Sequence, residues 1–428
     1  MISVYKQNEI KEFLKRYDNR RFETSEEVSA VVRDIIQTVR DKGDEALVAF
    51  TRQFDRADIG KTGIRASENT IEAAARKIPK RLKDILKQSA ENIRRFHENE
   101  KMSSWIQWQE DGVILGQKVT PLERVGIYVP GGRAVYPSSL LMAAVPAQVA
   151  GVKEISIVSP PDPEGRIHPS ILAAASILNI QNIYAVGGAQ AVAGLAYGTQ
   201  TIKSVDKIVG PGNMYVAEAK RQVFGVVDID MVAGPSEVVI LADETADPDH
   251  AASDLLAQAE HDPAASSILI TPSAGLAEKI QTAVDRQAKA LNRIEICESS
   301  LRNFGGILVV KDMQAGLDLV NELAAEHLGL HVENPWETLA GIQNAGAIFL
   351  GSYSPETVGD YWAGPNHILP TNRTARFSSP LGTVDFQKRS SLIHYTKSAL
   401  EKNAESIIHF ADTEGLDGHA NAVKQRIH

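Results

Sequence analysis

The sequence has one cysteine, no excess of positive charge and no long apolar segment, and each scarcity excludes a class of protein. Cys297 alone cannot form an intramolecular disulfide or supply a thiolate zinc cage. The formal charge of −9 over 428 residues leaves no basic face for nucleic acid or an anionic membrane. The N-terminus is polar, and no run has the apolar length of a signal peptide or bilayer span. We therefore expect a cytoplasmic protein that binds neither nucleic acid nor membrane.

Short β-branched runs alternate with helical runs of small residues in two series. The first contains VGIYV from Val125, EISIV from Glu154, NIYAV from Asn182 and VDKIV from Val205. The second contains EVVILA, SSILIT, GGILVV, LGLHV and AGAIFLG. Strand–helix–strand units at this spacing predict parallel sheets covered on both faces. The predicted fold is α/β, with two Rossmann-like parallel-sheet domains and helical N- and C-terminal extensions.

Helices are predicted outside the two series as well. The TSEE segment pairs Thr24 with Glu27 as a capping box, and Gly43 is a plausible end for that helix. A second helical region runs from about Ser67 to Glu98, with a break at Pro79.

A late amphipathic helix follows the α/β pattern. Ser398 and Glu401 form a capping-box pattern, and an apolar stripe runs through Leu400, Ala404, Ile407, Ile408 and Ala411. Such a helix needs a surface to cover. The pattern alone does not distinguish a surface on a partner subunit from a surface on the same chain.

Two segments combine side chains that bind metals. Gln258 and His261 have the i, i+3 spacing of one helix face beside a loop, although most such pairs have no function. Asp360 and His367 flank a Gly-Pro turn in a polar loop after the last strand. Ligands often bind at such loops in α/β folds, and the alternative is a turn that caps helices.

The tripeptide Ala-Glu-His occurs twice, ending at His261 and at His327. In the second copy, His327 has the chemistry of a general base and Glu326 that of a water activator. A surface pair is the simpler alternative. Glu414 and His419 lie near the C-terminus, where charged residues are usually solvated.

Glycine turns stand between strand and helix in VPGGRAVYP, AVGGAQAVAG and IVGPGNMYV. They permit a dinucleotide to approach helix N-termini closely. None matches G-x-G-x-x-G or a P-loop, so the standard glycine fingerprint is missing.

Long motifs along nearly the whole chain make it resemble the histidinol dehydrogenase family. They include VGIYVPGG, VGGAQAVAGLAYGT, DKIVGPGN, DMVAGPSEV, SDLLAQAEHDP, AAEHLGLH, GDYWAGPNHILPT and DFQKR. The resemblance implies a zinc-dependent oxidation of L-histidinol to L-histidine, through the aldehyde, with two NAD⁺. These are the last steps of histidine biosynthesis.

The resemblance also implies a role for each motif residue. One Zn²⁺ per subunit would be bound by Gln258, His261, Asp360 and His419. L-Histidinol would contact these four ligands together with Ser236, His327, His367 and Glu414. NAD⁺ would contact Tyr128, Gln190 and Asn213. His327 would be the general base, and Glu326 would activate water.

The family's homodimer has intertwined tails, which would carry Glu414 and His419 into the partner's site. The implied division is an N-terminal extension (1–24), a first α/β domain with most metal and catalytic residues (25–127 and 236–380), a second α/β domain (128–235) and a C-terminal tail on the partner (381–428).

Three alternatives stay open: a relative that oxidises another small amino alcohol or diol, a zinc hydrolase, and a non-catalytic binding protein. The bulky Trp362 beside Asp360 bears on the first, because it could alter the substrate pocket.

Overall fold

The computed structural model describes residues 1–18, 26–131 and 135–427. The strands, in chain order, are β1 (Val4–Tyr5), β2 (Trp105–Trp108), β3 (Ile114–Pro121), β4 (Arg124–Tyr128), β5 (Glu154–Val158), β6 (Asn182–Tyr184), β7 (Lys207–Val209), β8 (Asp228–Ile229), β9 (Glu237–Ala242), β10 (Ser266–Thr271), β11 (Gly306–Val309), β12 (His327–His331), β13 (Ala347–Leu350) and β14 (Gln387–His394).

The helices, in chain order, are α1 (Ile10–Asp18), α2 (Glu26–Lys42), α3 (Asp44–Phe54), α4 (Ile59–Thr62), α5 (Glu68–Lys77), α6 (Lys80–His97), α7 (Pro137–Ala150), α8 (Pro169–Ile177), α9 (Gly188–Tyr197), α10 (Met214–Val223), α11 (Pro248–Ala259), α12 (Ala274–Ala288), α13 (Ile294–Phe304), α14 (Met313–Leu323), α15 (Pro335–Leu339), α16 (Glu356–Val358), α17 (Lys397–Thr413) and α18 (Asp417–Ile427). No helix of the described ranges is long and apolar enough to cross a membrane.

Two parallel sheets carry the fold. The first has six strands in the order β1-β11-β10-β9-β12-β13, and the second has five in the order β6-β5-β4-β7-β8. All their pairings are parallel. The strand order reverses between β9 and β12 in the first sheet and between β4 and β7 in the second. The predicted α/β class with two parallel-sheet domains is confirmed.

Strands β9, β10 and β12 are buried along their whole length, which explains their nearly continuous apolar runs. All nine predicted strand segments contain a strand of these two sheets. The two-residue strands β1 and β8 carry too little sequence for a periodic signal, and they were not predicted.

A third sheet was also missed. Its antiparallel order is β14-β3-β2, joined through the residue pairs Gln387–Pro121 and Trp105–Gln117. Every residue of β2 is exposed, as is nearly all of β14, so neither strand shows the alternation of a half-buried strand.

Helices from the first hundred residues pack on the five-stranded sheet. Val32 of α2, Leu47 of α3 and Ile93 of α6 share one hydrophobic cluster with Val125 and Ile127 of β4. The domain boundaries given above stay a prediction.

The predicted ends of these helices agree with the structure where they can be examined. Gly43 follows the last residue of α2 and has a positive φ of 58°. Ser67 caps α5 by accepting a hydrogen bond from the Thr70 N–H, and Pro79 separates α5 from α6. The proposed cap at Thr24 lies outside the described residues.

The residue that caps α17 lies two positions before the predicted cap. Thr396 has extended backbone and accepts the Ala399 N–H at 3.1 Å, whereas Ser398 is already inside α17. The predicted Ser398 cap is therefore wrong, because a capping residue must lie outside the helical turn it closes. Ala404 and Ala411 of the stripe are buried, while Ile407 and Phe410 are exposed.

Candidate active site

Glu326 and His327 lie at the amino-terminal edge of the six-stranded sheet, where its strand order reverses. His327 opens β12 and is paired in register with Val238 of β9. The Glu237 N–H donates to Glu326 Oε2 at 2.9 Å, and His327 Nδ1 lies 3.0 Å from the Glu237 carbonyl oxygen. A single residue at the start of β9 therefore orients both side chains.

This contact fixes which nitrogen of His327 carries the proton in the neutral ring. A carbonyl oxygen can only accept, so Nδ1–H donates and Nε2 keeps its lone pair. Nε2 is buried and has no hydrogen-bond partner among the described residues. Burial lowers the pKa of His327, and the negative charge of Asp360 offsets part of that effect. The result is a neutral imidazole with an available basic nitrogen.

Gln258 and His261 reach the same edge from α11. This helix follows β9 and runs antiparallel to it, so its C-terminal end returns to the amino edge of the sheet. Gln258 is 1% exposed, and its Oε1 lacks a partner within the described ranges. His261 Nδ1 lies 2.9 Å from the Ala257 carbonyl oxygen, which leaves Nε2 as the ring's acceptor atom.

Asp360 lies in a π-helical turn, Gly359–Ala363, a form that often occurs at functional sites. His367 follows, with Nδ1 3.2 Å from the Asp360 carbonyl oxygen and Nε2 3.2 Å from Ser139 Oγ of α7. Burial lowers the pKa of His367, Asp360 raises it, and the charges of His327 and His261 lower it further. Such mutual effects require the three histidines and Asp360 to be near neighbours.

Ser236 precedes β9 at the same edge, where its carbonyl accepts the Ser266 N–H at 3.0 Å. The structure thus brings together the predicted residues Ser236, Gln258, His261, Glu326, His327, Asp360 and His367.

Glu414 and His419 lie elsewhere. Both side chains are exposed, at the end of α17 and in α18. Thr396 and Lys402 of α17 bond to Asp111 of the β2–β3 turn. The single chain therefore leaves two predicted site residues away from the others.

Sequence reasoning missed three residues of this site. Ser139 and Glu237 act through a hydroxyl and backbone groups, for which the sequence holds no signal. Glu356 is buried, and the pKa of its carboxyl is well above normal because of burial and then the charges of Asp360, Asp254 and Glu326. The one feature of the sequence that could have indicated Glu356 is its position in the polar segment that carries Asp360.

The donor set fits part of a zinc site. Gln258 Oε1, the free nitrogen of His261 and the Asp360 carboxylate are the nitrogen and oxygen ligands that Zn²⁺ accepts. Within residues 1–18, 26–131 and 135–427, however, no three histidine, cysteine, aspartate or glutamate side chains are grouped to hold a metal. One chain supplies an incomplete set.

The predicted cofactor residues stand at the carboxyl edge of the five-stranded sheet. Tyr128 ends β4, and its hydroxyl accepts the Gly188 N–H at 3.1 Å. Gln190 is buried in α9, and neither of its amide atoms has a partner in the described chain. Asn213 caps α10 by accepting the N–H groups of Tyr215 and Val216 at 3.0 and 3.1 Å. Dinucleotides bind at this kind of reversal point in open α/β sheets.

Trp362 lies beside α6. It is about half exposed, and its carbonyl accepts a hydrogen bond from Asn92 of α6 at 2.8 Å.

Comparisons with known proteins agree along the whole chain. The family model described as histidinol dehydrogenase matches residues 18–427. Histidinol dehydrogenase of Halalkalibacterium halodurans is 54% identical over 396 residues, covering 92% of this chain and 93% of the relative. That of Bacillus subtilis is 52% identical over 402 residues, covering 94% of each chain.

A solved structure gives the same result. The crystal structure of histidinol dehydrogenase from Elizabethkingia anophelis superposes with a TM-score of 0.94 at 36% identity. The match covers 100% of this chain and 98% of that one.

Proposed function

The chain belongs to the histidinol dehydrogenase family, and we propose that it oxidises L-histidinol through L-histidinaldehyde to L-histidine with two NAD⁺. Membership makes the protein an NAD-dependent oxidoreductase of histidine biosynthesis. The main observation behind the proposed reaction is the protonation and orientation of the His327 ring. Its ring is neutral and held at Nδ1, and its buried Nε2 has no partner among the described residues.

In the first half-reaction, His327 Nε2 accepts the hydroxyl proton of the alcohol. The carbon-bound hydrogen leaves as hydride to the nicotinamide ring, so the substrate loses two electrons and becomes the aldehyde. The Glu237 carbonyl stabilises the resulting imidazolium through Nδ1–H. Glu326 Oε2 contributes its negative charge 3.7 Å from the same nitrogen.

In the second half-reaction, Glu326 takes a proton from water as the water oxygen bonds to the aldehyde carbon, and the His327 imidazolium returns its Nε2 proton to the carbonyl oxygen, giving the hydrate and a neutral His327. His327 then accepts a hydroxyl proton of the hydrate while the second hydride leaves for another NAD⁺. The Glu237 N–H holds one carboxylate oxygen of Glu326, which restricts the side chain to one orientation.

We propose that Gln258, His261 and Asp360 bind one Zn²⁺ per subunit together with the partner subunit's His419. Two observations support this arrangement: Gln258 Oε1 has no partner in the described part of the chain, and His419 is exposed. When bound, the metal would orient the imidazole and amine of the substrate. Ser236 and His367 would contact L-histidinol from this chain, and Glu414 would do so from the partner's tail.

The tail supports a homodimer with intertwined ends. Ile407 and Phe410 of α17 and Ile393 of β14 are large apolar side chains that one chain leaves exposed. Burial of such groups is the main favourable term in association. A cytoplasmic location stays a prediction from the sequence.

A relative with another amino alcohol or diol as substrate is the nearest alternative. The test is the amount of NADH formed per L-histidinol consumed, before and after metal removal with a chelator. Two NADH per substrate, lost on chelation and restored by Zn²⁺, is the expected result. One NADH with released aldehyde, or none, would reject the four-electron reaction.

A further inference from the structure

A buried ion pair lies beneath the carboxyl edge of the five-stranded sheet. Lys220 of α10 and Asp230, which follows β8, form this pair with side chains only 2% and 1% exposed. Lysine and aspartate are rarely buried so completely. The mechanism above gives neither residue a role.

The pair holds one residue of the backbone from both sides. Lys220 Nζ donates to the Gly210 carbonyl oxygen at 3.0 Å, and the Gly210 N–H donates to Asp230 Oδ2 at 2.7 Å. The other carboxylate oxygen accepts the Met231 N–H at 2.6 Å. Both polar backbone groups of Gly210 are therefore fixed by one ion pair.

Gly210 occupies the reversal point of the sheet. It follows β7, and its φ of 111° is a conformation that other residues rarely adopt. A Cβ atom built there would be 2.2 Å from the carbonyl oxygen of Tyr128, the last residue of β4. The turn that begins at Gly210 leads directly to Asn213, the cap of α10. Gly210 is therefore packed against one proposed cofactor residue, Tyr128, and begins the turn that leads to another, Asn213.

Stability alone is a weak reason for this arrangement. Moving two charges out of water is costly, and well-packed apolar residues in place of a buried ion pair are often as stable. An apolar pair, however, would leave the N–H and carbonyl of Gly210 without these partners. A glycine-containing turn also has more conformational freedom than other turns, and the two bonds remove it.

We propose that Lys220 and Asp230 are positioning residues for NAD⁺, which hold the Gly210–Asn213 turn in the conformation that receives the dinucleotide. The inference rests on the proposed cofactor site. It predicts that the pair governs affinity for NAD⁺ and NADH and leaves binding of substrate at the other sheet unchanged.

The test is NADH binding to the dimeric, zinc-loaded enzyme by fluorescence, without L-histidinol, in Lys220→Met, Asp230→Asn and the double variant. Each single variant should weaken NADH binding about tenfold or more, because each removes a buried hydrogen bond between a charged group and the turn. The double variant should resemble the single variants, since both residues hold the same backbone residue. Lys220→Arg, which keeps the charge and the donors, should recover most of the affinity.

Lys203→Met is the matched control. Lys203 belongs to the same domain and forms an ion pair with Glu154 at 3.3 Å, but its side chain is exposed. The Lys203→Met enzyme should bind NADH with the same affinity as the unmodified enzyme. The KM for L-histidinol should be unchanged in every variant that folds.

A purely structural role would lower the melting temperature of the variants and leave NADH affinity unchanged below that temperature, which would overturn the inference. If Lys220→Met does not fold, the milder Asp230→Asn decides the question by the same criterion. An enzyme that binds NADH but does not oxidise L-histidinol would reject the proposed function alone. An unmodified enzyme that does not bind NADH would reject the inference.

Discussion

Replacing Glu326 with glutamine separates the two halves of the proposed reaction. Glutamine keeps an oxygen that can accept the Glu237 N–H, now bonded at 2.9 Å. The Glu237 N–H therefore keeps its acceptor, and the substitution avoids the roughly 1–3 kcal/mol that leaving this buried donor unpaired would cost. The variant should therefore fold normally, and any change in rate reports on the lost charge and the lost base.

Those two losses affect the half-reactions differently. The charge of Glu326 lies 3.7 Å from His327 Nδ1 and stabilises the imidazolium that forms in both hydride transfers. Both halves should therefore slow. Only the aldehyde half also needs a base for water, and general-base catalysis contributes about 100-fold or more. The ratio of the second rate to the first should fall by about that factor.

The assay is single-turnover NADH formation, started once from L-histidinol and once from L-histidinaldehyde. Glu322→Gln in α14 is the matched control, because Glu322 is exposed on the preceding helix and should leave both rates unchanged. An equal loss in both half-reactions would refute the role of Glu326 in activating water. It would then act only through the charge it presents to His327.

Three further outcomes follow from the structure. A His419→Ala chain reassociated with a His327→Ala chain should regain part of its activity, and verified heterodimers without recovery would exclude exchanged tails. Burial lowers the pKa of His327 and of His367 below the usual 6.5. As the pH falls through 6.5, these histidines therefore bind protons in the unfolded state before they do so in the folded state. The free energy of unfolding should consequently fall as the pH drops. A melting temperature that is constant from pH 7.5 to about 5.5 would contradict this. Gly210→Ala should destabilise the protein by about 1–3 kcal/mol or more in urea titrations, because its φ is positive and the Tyr128 carbonyl occupies the space.

The strands of both sheets could be predicted because burial on two faces leaves a direct mark on sequence. EVVILA is apolar after its first residue, Glu237, and SSILIT is apolar or small, since β9 and β10 are covered on both sides. The order of strands leaves no such mark. It was therefore not predictable that Glu326 and His327 would lie at the amino edge of their sheet, opposite to the edge where ligands bind in most open α/β folds.

The rest of the site depends on contacts between distant parts of the chain. A lysine in an amphipathic segment is expected to be solvated, and nothing local to Lys220 indicates that Asp230 and the Gly210 carbonyl enclose it. Glu237 is similar, because its backbone groups orient Glu326 and His327 from about 90 residues away. The family motifs pointed to the side chains that we propose do the chemistry, but not to the groups that hold them.

One backbone residue anchors both side chains at a site that we propose performs two oxidations. The proposed base His327 and the proposed water activator Glu326 are both bonded to Glu237, so one residue of β9 fixes the orientation of both. The aldehyde can then stay in place while its proton acceptor and its water activator act in turn. The cofactor edge is tied to the same site by α7, which follows β4 and bonds through Ser139 to His367. In the proposed reaction, the exchange of NADH for a second NAD⁺ would therefore take place beside a helix that is bonded directly to the substrate site.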